Sequence, residues 1–386
     1  MKISENLSLG PYMTFESSKN RPIHRWFYYK EGYSPEIVEY VLDMERTCCE
    51  GGVLLDPFCG TGTSLLVAKE NGLFGIGVDA SELAVFVSQV KCANYERSDL
   101  NEVEGFLRTL LKHKKEPSIK WNFELFNPAL AFPRRNLNEI LRIREAITEC
   151  DCGENAKALL LLALISILPQ CSIVIKDGGV LKIDKEKSAM PVKEAFKRKL
   201  RQMIKDIEST PIHGKETRII LGDARALPLE NESCDVIVTS PPYLNNIDYS
   251  KVYGLELSLL TLDEETTKSA RERLLSSFIK KRTEKIGYLP EVGDVGIRIP
   301  VVGAYFADME KSLSEMKRVL KKDCGAYVIV SNSVIFGEHV LVDEILAAIG
   351  ERLGMESRII VGGYRIADVK PQRIKTRESV VVFRKQ

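Results

Sequence analysis

The sequence predicts an α/β protein built on a doubly wound, mostly parallel sheet, and three observations carry that expectation. Short apolar runs ending in Gly, Asp or Pro recur along the chain, as buried parallel strands do. Stretches of helical period separate them, the alternation that covers a sheet on both faces. A glycine-containing turn, Asp56-Pro57-Phe58-Cys59-Gly60-Thr61-Gly62-Thr63, follows the first run and opens the first of those helices.

Taken in order, the expected strands are Gly52–Asp56, Phe74–Asp79, Arg218–Asp223, Cys234–Thr239 and Gly325–Ser331, with two more at Ser357–Val361 and Ser379–Arg384. Helical patterns fall at Ser64–Asn71, Leu83–Tyr95 and Tyr305–Leu320, the last with Leu313, Met316 and Leu320 on one face. The chain divides accordingly into residues 1–96 (an N-terminal segment and the first half of the core), 97–215 (a helical insertion), 216–260 (core), 261–302 (a charged insertion) and 303–386 (the C-terminal part of the core). Neither insertion is needed to close the sheet, so both are candidates for substrate recognition. Pro191–Lys205 holds six Lys/Arg against one Glu, and Arg271–Lys285 holds six against two. Each alone reads as a solvated helix face. Together, on a 386-residue chain of net charge +1, they suggest a local surface for an anionic partner.

Other classes are disfavoured by composition. Met1–Gly10 has no apolar core or small-residue cleavage site, so no secretory signal is expected. The longest largely apolar stretch, Ala158–Leu168, covers 11 residues against the roughly 20 that span a bilayer. It reads as a buried helix, with no membrane partner and a cytoplasmic location expected. Nine scattered cysteines read as reduced core residues, and Cys150-Asp151-Cys152 lacks a second Cys/His pair at metal-ligand spacing. The histidines at 24, 113, 213 and 339 show no nucleophile or metal pattern, so no metal is expected.

Chemistry concentrates in two loops. In the first, Gly60 and Gly62 allow a tight turn and close approach of a ligand, beside the free N–H groups of a helix N-terminus. A dinucleotide fold would place a third Gly at position 65, where the chain has Leu65. Asp79, 19 residues past Gly60 at the tip of the second strand, is placed to accept hydrogen bonds from ribose hydroxyls. In the second loop, Thr239-Ser240-Pro241-Pro242-Tyr243 follows the fourth strand. The first and fourth strands of a doubly wound sheet flank its switch point, so the two loops are expected to share one crevice. Two prolines fix φ and remove two donors, leaving the carbonyls of Ser240 and Pro241 to accept from a ligand's amino group. Tyr243 offers a face on which a base can stack.

That arrangement suits one difficult reaction. The exocyclic amine of cytosine or adenine is a poor nucleophile because its lone pair is delocalised into the ring. Accepting hydrogen bonds from both its protons, out of the ring plane, drives the nitrogen towards tetrahedral geometry and localises the pair. Alignment behind a sulfonium methyl then supplies about 7–11 kcal/mol of the barrier. The base must first leave the duplex stack.

The motifs Asp56–Thr63, Gly77-Val-Asp-Ala-Ser81, Leu221-Gly-Asp-Ala224 and Thr239–Tyr243 resemble motifs I, II, III and IV of the amino-methyltransferases that modify DNA at cytosine N4 or adenine N6. Pro22–Pro35 is similar to the segment that precedes motif I in bacterial members, Tyr253–Leu257 to the stretch after motif IV, and Arg318–Gly325 to the approach to the fifth strand. About two thirds of the chain is covered, the insertions excepted. The resemblance implies a seven-stranded sheet of the S-adenosylmethionine-dependent methyltransferase type and S-adenosylmethionine as cofactor. It implies that Asp56, Phe58, Gly60 and Gly62 line the methionine end of that cofactor, that Asp79 holds its ribose, and that Asp223 with Ala224 lies by its adenine. Ser240, Pro241, Pro242 and Tyr243 would form the catalytic loop. Ser-Pro-Pro-Tyr is associated in the family with cytosine N4, and Asp- or Asn-Pro-Pro-Tyr with adenine N6. The implied partner is double-stranded DNA, with room for a cognate restriction endonuclease acting as a separate protein.

Four competing activities are weaker. A cytosine-C5 enzyme needs a Pro-Cys nucleophile, and no Pro-Cys dipeptide occurs in the chain. RNA guanine-N2 enzymes use a similar Pro-Pro-Tyr pocket, but usually carry an N-terminal RNA-binding domain for which the 51 residues ahead of the first strand leave no room. A non-catalytic binding subunit should have lost a glycine or a proline from the two loops. An NAD-dependent reductase lacks its third glycine.

Overall fold

The computed structural model describes the chain except residues 46–50, 111–115, 124–125, 178–179, 211–214, 245–248, 263–287 and 370–371. The basic run Arg271–Lys285, Cys48, Cys49, His113 and His213 lie outside the described residues.

The described strands are β1 (Lys2–Glu5), β2 (Val53–Asp56), β3 (Phe74–Asp79), β4 (Val174–Asp177), β5 (Val180–Ile183), β6 (Thr217–Leu221), β7 (Cys234–Thr239), β8 (Leu320–Ser331), β9 (Ser333–Ile335), β10 (Glu338–Val340), β11 (Met355–Val369) and β12 (Gln372–Lys385). Eight of them form the main sheet in the order β1-β11-β12-β8-β7-β2-β3-β6. The expected seven strands are all present, and the N-terminus adds an eighth by pairing β1 parallel to β11. Neighbours from β6 to β8 are parallel, while β12 is antiparallel to both β8 and β11. The chain leaves β2 towards β3 on one side and returns as β7 on the other, so the switch point lies between β2 and β7.

Alternation along the strands sorts the core between the two faces. Leu54, Val236, Val238, Tyr327 and Ile329 pack beneath α1 (Pro35–Met44) and the back of α2 (Thr63–Glu70). Leu55, Ile237, Ala326 and Val328 face the opposite way, towards α12 (Pro300–Val319) and α13 (Val342–Arg352). The place of the missing third glycine is taken by its complement. Leu65 of α2 lies over two glycines of β3: a Cβ on Gly77 would come within 2.5 Å of Leu65 Cδ1, and one on Gly75 within 3.5 Å of its Cα. Helix and strand approach closely because the strand, instead of the helix, has shed its side chains.

Residues 97–209 supply α4 (Arg97–Leu110), α5 (Pro128–Ala131), α6 (Arg134–Glu149), α7 (Glu154–Cys171), the β4–β5 hairpin and α8 (Val192–Ser209). They share one apolar cluster with α2, α3 (Glu82–Cys92), Trp26 and Phe27. By length and composition α7 is apolar enough to cross a membrane, yet Leu159, Leu160, Leu162, Leu164 and Ile165 are fully buried within the protein, as expected for a helix that is apolar all round. After β7 come the short α9 (Tyr249–Val252), α10 (Gly254–Thr261) and α11 (Asp294–Arg298). All described cysteines are free, and Cys59, Cys92, Cys171, Cys234 and Cys324 are buried.

One cluster fastens the N-terminal segment to the insertion. The buried carboxylate of Asp206, on α8, accepts from the Ile23 N–H at 3.2 Å, the Arg25 Nε at 3.0 Å and the Trp26 Nε1 at 3.0 Å. This fixes the path of the chain just before it enters the cleft.

Candidate functional site

The loops after β2, β3, β6 and β7 surround one cavity at the carboxyl edge of the sheet. Its walls include Phe58, Gly60, Asp79, Asp223 and Ala224, and also Ser240, Pro241, Pro242 and Tyr243. The glycine loop and the Ser-Pro-Pro-Tyr loop therefore meet, as the switch-point topology requires.

Backbone contacts shape the first wall. Gly60 and Gly62 have φ of +50° and +78°, a left-handed region costly to other residues. The turn lets the Gly60 N–H reach Asp79 Oδ2 at 2.9 Å, while the Ser81 N–H donates to Oδ1 at 2.9 Å. Burial pushes the Asp79 carboxyl up to about 6, against those two hydrogen bonds. Each oxygen keeps acceptor capacity for a further donor. Asp223 is bonded by Arg225, Nε to Oδ1 at 2.9 Å and Nη2 to Oδ2 at 2.7 Å, and Arg225 also pairs with the buried Asp308 at 3.1 Å. Burial alone would raise the Asp223 carboxyl, but the Arg225 bonds hold it below its ordinary value.

Two of the residues expected at the cofactor lie elsewhere. Asp56 is 1% exposed and does not line the cavity. It accepts from Thr239 Oγ1 at 2.6 Å, Tyr33 Oη at 2.9 Å and the Phe58 N–H at 3.2 Å, and burial pushes it up to about 6. It joins the ends of β2 and β7 from behind, holding the two loops in register. Gly62 is also off the wall: a Cβ there would meet Ser88 Oγ at 2.9 Å, and Ser88 in turn donates to the Gly60 carbonyl at 2.8 Å. Its absent side chain lets α3 close on the turn. His24 is buried, with Nε2 3.6 Å from Glu70 Oε1, and it too is not at the cavity.

The cavity is also lined by residues outside the sequence motifs, and Tyr29 lies against the glycine turn, 3.6 Å from where a Cβ on Gly60 would stand. Phe27, Tyr29 and Glu31 arrive from the N-terminal segment, Tyr253 and Leu257 from the region of α10. Tyr29 and Tyr253 stack with centroids 4.7 Å apart and planes 23° apart. Tyr253 Oη donates to Glu31 Oε2 at 2.6 Å and accepts from the Lys30 N–H at 3.0 Å. Lys176, from the β4–β5 hairpin, places its Nζ 3.7 Å from the Tyr253 ring centroid and 2.7 Å from Glu256 Oε1, a cation–π contact that locks the ring. Burial raises the Glu31 carboxyl and the Tyr243 hydroxyl. The available signal was the likeness of Pro22–Pro35 and Tyr253–Leu257 to family segments; it located the stretches without selecting their side chains.

The donor set fits S-adenosylmethionine. A buried acid with spare acceptor capacity suits a ribose diol, the turn at Gly60 admits a ligand against the backbone, and Phe58, Leu83, Ala84 and Ala224 provide an apolar wall for a flat ring.

No family model matches the chain. It is 28% identical over 303 residues to the Type II methyltransferase M.BsoBI of Geobacillus stearothermophilus, covering 70% of this chain and 59% of that protein. It is 27% identical over 414 residues to the Type II methyltransferase M.AvaI of Anabaena variabilis, covering 92% of this chain and 83% of the relative. Among solved structures, a SAM-dependent methyltransferase from Methanosarcina mazei aligns at 10% identity and a TM-score of 0.30, over 87% of this chain and 93% of that one. The chain is thus similar to Type II methyltransferases over most of its length, and the loops that carry its four motifs lie at neighbouring strand ends around one cavity.

Proposed function

We propose that the chain is a site-specific DNA methyltransferase that moves a methyl group from S-adenosylmethionine to the exocyclic N4 of a flipped-out cytosine. The observation that carries this reading is one cavity lined both by Gly60 and Asp79 and by Ser240–Tyr243. The cofactor supplies the electrophilic methyl group. Asp79 accepts from its ribose and Asp223 lies by its base. In the same cavity, the carbonyls of Ser240 and Pro241 accept hydrogen bonds from the two amine protons and Tyr243 stacks on the extruded ring. On methylation the nitrogen gives up one of those protons to water. In-line placement is the main source of rate in this scheme.

The relatives favour DNA as substrate, and Ser240 as the first letter of the loop favours cytosine N4 over adenine N6. Double-stranded DNA is the proposed substrate, with the exposed Lys193, Arg198, Arg201 and Lys205 face of α8 as one backbone contact. The test is incubation with mixed-sequence DNA and labelled cofactor, followed by nucleoside mass spectrometry. N4-methylcytosine is the expected product. N6-methyladenine would move the assignment to the other base, and labelled RNA nucleosides or no product would overturn it.

A further inference from the structure

Beyond the cavity, the outer halves of β11 and β12 form a ribbon that leaves the sheet. β8 ends at Ser331, opposite Glu378 of β12. The pairing of β1 with β11 ends at Val361. From Tyr364 outward β11 and β12 have only each other as ladder partners, Tyr364 with Arg377, Ile366 with Lys375, and on to Val369 with Gln372. Six paired residues extend about 20 Å at the usual rise per residue. A register shift between Val361 and Gly363 marks the point of departure, where such irregularities redirect a strand.

The ribbon leaves on the active edge. β8 runs parallel to β7, with Thr239 opposite Val328, so the Ser331 end of β8 lies at the edge from which Ser240 departs. At the ribbon's root, Arg365 Nε pairs with the buried Glu378 at 2.8 Å, and both residues are within electrostatic reach of the Tyr243 hydroxyl.

Its composition does not suit an edge facing only water. Tyr364 and Ile366 are 40% and 66% exposed, and cross-strand pairing puts them on the same face as Arg377 and Lys375. Lys375 Nζ lies 3.8 Å from the Tyr364 ring centroid. Residues 364–377 contain Arg365, Lys370, Arg373, Lys375 and Arg377 against the single acid Asp368. Arg377 is committed to Asp343 and Glu344 at 3.0 and 2.6 Å, whereas Arg373 and Lys375 have no ion-pair partner among the described residues. A two-stranded ribbon without further strands is marginally stable in water, so a partner that covers it would order it.

We propose that this ribbon enters a groove of duplex DNA beside the target base, with Arg373 and Lys375 on the phosphates. The proposal rests on the DNA reading given above. A two-stranded ribbon matches the roughly 12 Å width of the B-form major groove, as in other β-ribbon readers, and its cations without a carboxylate partner match the backbone charge. It also places a second DNA contact on the opposite flank of the catalytic loop from the insertion.

The test uses the full chain, wild type and Arg373→Glu/Lys375→Glu, with Arg373→Gln/Lys375→Gln as a gentler pair. Binding to a mixed-sequence duplex is followed by fluorescence anisotropy across a salt series, and S-adenosylmethionine binding by calorimetry. The charge-reversed pair is expected to bind duplex about tenfold or more weakly, and the neutralised pair to lose about two from the slope of log K against log salt. Cofactor affinity should stay at the wild-type value. Wild-type affinity and slope in both variants would overturn the proposal, leaving the lysine and arginine as simple protection of a sheet edge. Duplex RNA competing as well as duplex DNA would also overturn it, because the A-form major groove is too narrow for such a ribbon. Wild-type protein that binds no duplex would instead overturn the DNA reading itself.

Discussion

Two stretches of the cavity wall are built differently. In the first, Gly60, Asp79 and Asp223 each stand within a few residues of a strand end and are fixed by near neighbours at those ends, the Gly60 N–H bonding Asp79 and Arg225 bonding Asp223. In the second, Tyr29 comes from the N-terminal segment and lies against the Gly60 turn, Tyr253 comes from the start of α10, and Lys176 reaches the Tyr253 ring from the β4–β5 hairpin. The first stretch depends on local chain geometry at parallel strand ends. The second depends on three remote segments arriving together, held by side chains. A wall of the first kind should tolerate loosening of the insertion, and one of the second kind should not.

That contrast can be broken most severely at Asp206. Asp206→Ala leaves the Arg25 guanidinium without its buried partner and strands the Trp26 and Ile23 donors. A loss of about 3–5 kcal/mol is expected for removing one member of a buried pair, read by urea unfolding. If the two stretches are independent, S-adenosylmethionine binding at low temperature should be nearly preserved in the folded fraction. Next, Ser240→Ala keeps the backbone carbonyl but removes the hydroxyl that hydrogen-bonds Tyr243. Turnover is expected to fall about ten- to a hundredfold, the scale of one lost buried hydrogen bond, while cofactor affinity measured by calorimetry stays near wild type. Unchanged turnover would show that the Ser240 hydroxyl does not position Tyr243.

Asp79→Ala should do the reverse, weakening cofactor binding by about 1.5–3 kcal/mol. Because burial raises Asp79 to about 6, the ionised acceptor is present above that value and lost below it. Wild-type cofactor affinity should therefore fall as pH drops through about 6, and the Asp79→Ala protein should lose that component. A pH-independent affinity in the wild type would count against the ribose assignment. The smallest effect is expected from Tyr253→Leu, which removes the stack on Tyr29 and the Lys176 contact. A cost of about 0.5–1.5 kcal/mol should appear as a several-fold rise in KM for DNA, with cofactor affinity unchanged.

Most of the sheet was legible because strands buried on both faces write themselves as apolar runs. Where the prediction fell short, the pattern was mixed. β1, with the burial of an edge strand, is exposed throughout and carries no apolar run. β11 and β12 extend well past Ser357–Val361 and Ser379–Arg384, because their outer halves are polar and basic where no second layer covers them. Asp56 and Gly62 show the limit of motif reading: both belong to the motif, yet Asp56 joins β2 to β7 and Gly62 makes room for Ser88.

The seven core strands, the two loops and the residue types they bring to a common edge could be read along the chain, since these follow from period, turn chemistry and topology over a few residues. Which motif residues face the cavity, which aromatic rings from distant segments complete it, and that a basic ribbon rises beside it emerged from packing. Those outcomes depend on contacts between residues up to about two hundred positions apart, which only packing of the whole chain brings within reach.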